Sequence, residues 1–142
     1  MGPFDVRITD WAADAAALRA VRRAVFIVEQ GVPEELEWDD SDPRSVHALA
    51  VDSHAQAIGC GRLLPDGHIG RMAVLADWRG RGVGTALLLR LVDLAREAGH
   101  RRAILNAQVS AMPFYARYGF TATGEAFEEA GILHRIMDRS FR

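Results

Sequence analysis

Arg79-Gly80-Arg81-Gly82-Val83-Gly84-Thr85 is the segment whose residue types and spacing speak most directly of chemistry. It stands between a predicted strand, IGRMAV, and a predicted amphipathic helix, TALLLRLVDLAREAG. Glycine lets the backbone approach a ligand closely and take positive φ. The first amides of a helix have no carbonyl partner within it, and its dipole favours negative charge at that end. Together these features suit a pyrophosphate, and the two arginines add positive charge. A Walker loop is absent: it needs a lysine, and all 17 basic residues here are arginine. The dinucleotide fingerprint needs a glycine where Thr85 stands and an acid at the end of the following strand. That strand, ILNAQ, offers none. A coenzyme A pyrophosphate loop fits the pattern, and a glycine-rich turn without a ligand is the alternative.

The elements that must hold this loop can be read from periodicity. FDVRIT has the alternation of a short strand. Ala12 to Glu29 reads as a helix with Leu18, Val21, Val25 and Val28 on one stripe, Asp10 or Asp14 as its cap, and Gly31 and Pro33 as its stop. Residues 29–42 then carry seven acids and no base, the pattern of a solvated loop, although Leu36 and Trp38 within it imply some packing on the body. VHALAVD, QAIGCGRLL and HIGRMAVL predict an antiparallel meander with a PDG turn. After the glycine loop, Leu87, Leu88, Leu91, Val92 and Ala95 form a helical stripe that Gly99 terminates. RRAILNAQ predicts a strand, SAMPFYARYG a short helix, and FTATG with FEEAGILHRIMD a final hairpin. The expected fold is therefore α/β. It has a mixed, mostly antiparallel central sheet of six to seven strands flanked by about four helices.

The 142 residues suit one domain over 1–142. Net charge is −2, which speaks against a nucleic-acid partner. No run of about 18 apolar residues predicts a membrane span, and no signal peptide is visible. Cys60 is the single cysteine, so no internal disulfide forms and a reducing cytoplasm is the expected location. Its place between two glycines in a strand suggests an inert, buried thiol. His47, His54, His68, His100 and His134 show no ligand-spaced pair, so no metal is expected. Self-association through an edge strand or the terminal hairpin is left open.

Two separated motifs resemble the GNAT superfamily of acyl-CoA-dependent N-acetyltransferases. One is the strand followed by Arg79–Thr85, similar to the family's Q/R-x-x-G-x-G/A. The other is AMPFYARYGF at Ala111–Phe120, similar to A-x-x-F/L-Y-x-x-x-G-F. The order of elements resembles the family over nearly the whole chain. The acidic segment EQGVPEELEWDDSD further resembles that of an ElaA-type subgroup.

The resemblance implies an acetyl group moved from acetyl-CoA to a primary amine by direct attack in a ternary complex. It implies that the amides of Arg81, Gly82, Val83, Gly84 and Thr85 hold the pyrophosphate. The backbone of Met72, Ala73 and Val74 would pair with the pantetheine arm, with Val74 or its neighbour offering an N–H to the thioester oxygen. Tyr115 matches the tyrosine that faces the thioester sulfur. A phenol is protonated at neutral pH and can supply the thiolate's proton. Phe114 would line the cofactor. Gln108 stands where many members have a cofactor-contacting asparagine, and Asn106 is the alternative polar contact.

The general base is not marked by a carboxylate on the strand before the loop, which offers His68 and Arg71. Glu37 in the acidic segment is the first candidate, with a solvated loop charge as its alternative. His134 is the second, since imidazole titrates in a suitable range. The acids near the acceptor site would favour a cationic amine, small or at a peptide end. Rival readings are a non-catalytic acyl-CoA-binding or sensing module, an acyltransferase using a different acyl-CoA, and a nucleotide-binding protein.

Overall fold

Strand β1 (Phe4–Thr9) runs straight into helix α1 (Trp11–Arg22) in the computed structural model, which describes residues 2–141. Asp10 is the N-cap, its side chain accepting the Ala13 N–H at 2.8 Å. Asp14 instead accepts from Arg7 and Thr9. The helical stretch continues to Glu29 as expected, but from Arg23 onward it is a π-helix (Arg23–Glu29). There the Gln30 N–H reaches the Val25 carbonyl, five residues back, at 3.0 Å. This wider winding redistributes the side chains about the axis. Val25 and Phe26 stay buried, whereas Val28, expected on the same stripe, is 75% exposed.

One helical turn, α2 (Glu34–Glu37), follows within the acidic segment. Then β2 (Val46–Asp52), β3 (Ala57–Leu63) and β4 (Ile69–Val74) form the expected meander, and the order is β1–β2–β3–β4, all antiparallel. Helix α3 (Val83–Glu97), β5 (Arg102–Gln108), α4 (Met112–Arg117), β6 (Thr121–Glu129) and β7 (Ile132–Ser140) complete the chain. The last three strands form an antiparallel sheet ordered β5–β7–β6.

Among the described residues, the seven strands and four helices match the expected class, with one refinement. The sheet is divided in two, and among the same residues one isolated parallel bridge, between His68 and Ile104, joins the parts. Past that bridge β4 and β5 diverge. A bulge lies at the same place: the β3–β4 register slips so that Arg71 and Met72 oppose Gly61 alone, with Arg71 at φ +50°. A bulge bends its strand and re-aims its side chains.

Two helices cover the opposite faces of the first sheet. The period-2 pattern of β2 turns Ala48 and Ala50 to the α3 side and Leu49 to the α1 side. On α3, Leu87, Leu88 and Leu91 are fully buried, each contributing about 1.5–3 kcal/mol. The helix lies so close to β3 that a Cβ on Gly61 would stand 2.8 Å from Leu91 Cδ1 and 2.5 Å from Met72 Sδ. On the other face Leu18 and Val21 of α1 pack on Leu49, Cys60 and Ala73.

Candidate active site

The divergence of β4 and β5 opens a cleft of about 1240 Å³, larger than the roughly 300–1,000 Å³ of ordinary small-molecule sites. Met72, Ala73 and Val74 form one wall; Asn106 and Gln108 belong to the other. The Leu75 N–H bonds the Ile58 carbonyl at 2.9 Å. Strand alternation therefore turns the N–H and C=O of Val74 away from β3, to the open edge. The Val74 carbonyl is taken by Arg79 Nε at 3.0 Å, which leaves the N–H directed at the cleft.

The glycine loop closes one end of this cleft. Gly82 is the N-cap of α3 at φ +87°, and no side chain caps the helix. The first intrahelical bond is Ala86 N–H to Gly82 O at 3.0 Å. The amides of Val83, Gly84 and Thr85 thus lack helical partners. A Cβ on Gly80 or Gly82 would meet no atom within 4 Å, so the space above the amides is open. Such a cradle fits a pyrophosphate. The side chains of the two loop arginines are already engaged. Arg79 makes a fork to Glu29 at 2.6 and 2.7 Å, and Arg81 Nε bonds the Asp77 carbonyl at 3.2 Å.

Helix α4 brings Tyr115 and Phe114 to the same cleft. Phe114 packs edge-on against Tyr115 and Tyr118, and Tyr118 Oη is 2.8 Å from Thr85 Oγ1. This contact ties α4 to the start of α3. Tyr115 is nearly buried, and desolvation pushes its phenol up to about 12. It is therefore a proton donor at neutral pH and no base.

The acidic segment is not the solvated loop expected from its composition. Glu37 and Asp42 are 3% and 1% exposed and, with Asp39, meet three arginines from α1, β3 and β4. The ion pairs close a ring. Arg22 bonds Glu37 at 2.8 Å and Asp42 at 2.7 Å. Arg62 bonds Asp42 and Asp39, each at 2.7 Å. Arg71 stands 3.1 Å from Glu37 and 3.4 Å from Asp39. Arg22 is also sandwiched between Trp11 and Trp38. Three acids face three arginines, so the ring brings no net negative charge to the cleft. Glu29 and Glu34 are paired with Arg79 and Arg23 as well. Burial raises the Glu37 carboxyl, against the pull of Arg71, Arg22 and Arg62. The Arg62 hydrogen bonds lower Asp39 to about 2.

His134 lies across the cleft on β7, 7% exposed and stacked on Phe127. Its Nδ1 is 2.6 Å from the Ile132 carbonyl. A carbonyl only accepts, so Nδ1 carries a proton, and in the neutral tautomer the lone pair is on Nε2. Glu129 Oε1 lies 3.8 Å from that nitrogen, and Asn106 Nδ2 donates to Glu129 Oε2 at 3.4 Å. Gln108 exchanges amide hydrogen bonds with Gln30 at 2.9 and 3.4 Å, tying β5 to the end of the π-helix.

Glu37, His134, Tyr115, Phe114, Asn106, Gln108, Met72–Val74 and the glycine loop except Arg81 therefore border one cleft. Sequence reasoning missed Arg22, Arg62 and Glu129. The signal for Arg22 was its place in the α1 stripe, four residues after Leu18, where a charge must find buried partners.

The sequence model of the acetyltransferase (GNAT) domain family matches residues 12–141. The uncharacterised N-acetyltransferase YjcF of Bacillus subtilis is 38% identical over 121 residues, which cover 82% of this chain and 86% of YjcF. An acyl-CoA N-acyltransferase from Pseudomonas aeruginosa superposes with a TM-score of 0.86 at 30% identity, over 97% of this chain and 100% of that one. Escherichia coli ElaA superposes with a TM-score of 0.85 at 26% identity, over 96% and 99%. The fold and the site define an acyltransferase. The chain belongs to the GNAT acetyltransferase family.

Proposed function

We propose that this protein is a single catalytic unit that transfers an acetyl group from acetyl-CoA to a primary amine in a ternary complex. The observation that carries this reading is the meeting, in one cleft, of the unpartnered α3 amides, the free Val74 N–H and the protonated phenol of Tyr115. The Pseudomonas aeruginosa relative bears the name of an acyl-CoA N-acyltransferase, which supports the choice of donor. Acetyl-CoA supplies an activated acyl group as a thioester.

The residues of the chain do the rest. The Val83, Gly84 and Thr85 amides bind the pyrophosphate. Val74 donates its N–H to the oxygen on which negative charge develops. Tyr115 holds the proton that the departing sulfur needs. His134 Nε2 takes the proton from the attacking amine, with Glu129 beside it to stabilise the imidazolium. Of the two base candidates, His134 has the free lone pair. Glu37 is held by Arg22 and Arg71 and acts as a positioning residue. With Cys60 buried and its thiol pushed up to about 12 by burial, no redox chemistry is assigned to it. A single cysteine allows no internal disulfide, and the cytoplasm is the proposed location.

The test is a screen of primary amines for acetyl-CoA-dependent thiol release, confirmed by the mass of the N-acetyl product. A product 42 Da heavier supports the reading, the mass added by replacing one N–H hydrogen with an acetyl group. Saturable acetyl-CoA binding without turnover of any amine would favour a non-catalytic binding module.

A further inference from the structure

The six-membered ring of charges is not uniform. Four of its links are 2.7–2.8 Å long; the two made by Arg71 are 3.1 and 3.4 Å. Arg71 also donates to the Leu36 and Glu37 carbonyls, at 3.2 to 3.4 Å. Among the described residues its Nη1 makes no hydrogen bond. Its side chain is 25% exposed and borders the cleft, and its backbone is held at φ +50° by the bulge. Beside it Arg62, 5% exposed and on the same wall, has a buried Nε with no partner. Both signs are balanced within the ring, so the ring itself offers this wall unmet guanidinium N–H donors; His68 Nδ1, also without a hydrogen bond on this wall, lies 3.0 Å from Asp66. The opposite wall carries Glu129 next to the His134 lone pair.

We propose that the acceptor amine also carries a carboxylate, and that Arg71 binds it. This inference rests on the acetyltransferase reading above and narrows its substrate class. The ammonium group, before it loses its proton, is drawn to Glu129 and His134. The carboxylate is drawn to the free Nη1 of the Arg71 guanidinium, a charged donor. The substrate class is therefore a small amino carboxylate, not the cationic amine suggested by the composition of the acidic segment. Arg62 keeps its place in the ring and supports Arg71 through Asp39.

The test uses matched acceptors that differ only in the carboxylate: glycine against glycinamide, β-alanine against β-alaninamide, and the common α-amino acids against their amides. Thiol release gives kcat/KM for each member, with the wild-type protein and with Arg71→Gln and Arg71→Lys. An acceptor pair should show the acid favoured by at least about tenfold, the size of a lost charged hydrogen bond. Arg71→Gln should abolish that preference through KM, and Arg71→Lys should restore part of it. The acetyl-CoA-induced rise in melting temperature should be the same in all three proteins. Equal rates for acid and amide, or equal losses for both in Arg71→Gln, would overturn the assignment. So would acetylation confined to amines without a carboxylate, or no turnover of any pair by protein that binds acetyl-CoA. Failure to bind acetyl-CoA at all would instead sink the parent reading.

Discussion

Replacing Arg22 with methionine tests whether the charge ring anchors the acidic segment. Methionine keeps most of the apolar stem and removes the guanidinium. Arg22 is 1% exposed, and the Glu37 and Asp42 side chains are 4% and 2% exposed. The substitution leaves two buried carboxylates each short of one partner and the Glu37 carbonyl without its 2.7 Å donor. Breaking a buried pair by removing one partner costs about 3–5 kcal/mol. The lost stacking between Trp11 and Trp38 adds about 0.5–2 kcal/mol. Against a total stability of about 5–15 kcal/mol, this is a large fraction. The melting temperature should fall by about 7–28 °C at 2–4 °C per kcal/mol. Urea unfolding followed by tryptophan fluorescence gives the change at constant temperature. A cycle with Glu37→Gln should show a coupling of at least about 1 kcal/mol. A loss below about 1 kcal/mol for Arg22→Met, or costs that add within about 0.5 kcal/mol, would refute the reasoning, because exposed pairs behave that way.

Other outcomes follow from the same geometry. Tyr115→Phe should lower kcat by about 10²–10⁴-fold with little change in acetyl-CoA binding; an unchanged kcat would remove Tyr115 from the mechanism. Because its phenol lies near 12, no loss of activity from Tyr115 ionisation should appear below about pH 11. Stability should fall on acidification in two stages. Burial lowers His47 and the Arg62 hydrogen bonds lower Asp39 to about 2, so in both cases the unfolded chain binds protons first. The His47 contribution is lost as pH drops below about 6.5, and that of Asp39 between about 4 and 2. Glu37, raised by burial, works in the opposite sense. Urea midpoints measured from pH 8 to 2.5 check the balance, and a midpoint that rises below pH 6 would contradict it. Ala55 sits at φ +61° in the β2–β3 turn and does not line the cleft. Ala55→Gly should raise stability by about 0.5–1 kcal/mol, since the Cβ strain of about 1–2 kcal/mol outweighs the added chain entropy.

Much of the architecture was legible because period and punctuation agree. The α3 stripe, the meander and the cap at Asp10 all stand where local pattern puts them. The division of the sheet was not legible: it accompanies a bulge at Arg71, and no local propensity marks an arginine for positive φ. The π-helix was hidden in the same way, since Val28 reads as apolar-periodic until the winding changes. At the site, the backbone features were readable from glycines and motif. The acidic segment was misread because its three key carboxylates find partners far apart in the chain, at Arg22, Arg62 and Arg71. Composition alone makes such a run look solvated. The same pairing balances the charge of Glu37, Asp39 and Asp42. The Gln108–Gln30 bridge spans 78 residues of sequence and has no local signature either.

The central claim is that the cradle at the start of α3 holds acetyl-CoA, and thermal melting with ligand tests it most directly. Acetyl-CoA at 100 times its dissociation constant should add roughly 2.7 kcal/mol of stability, with ATP and NAD as controls. The account predicts a rise in melting temperature specific to acetyl-CoA. The rise should be lost or sharply reduced in Gly82→Ala, where a Cβ would enter the open space above the amides. A rise with ATP or NAD and none with saturating acetyl-CoA would contradict it.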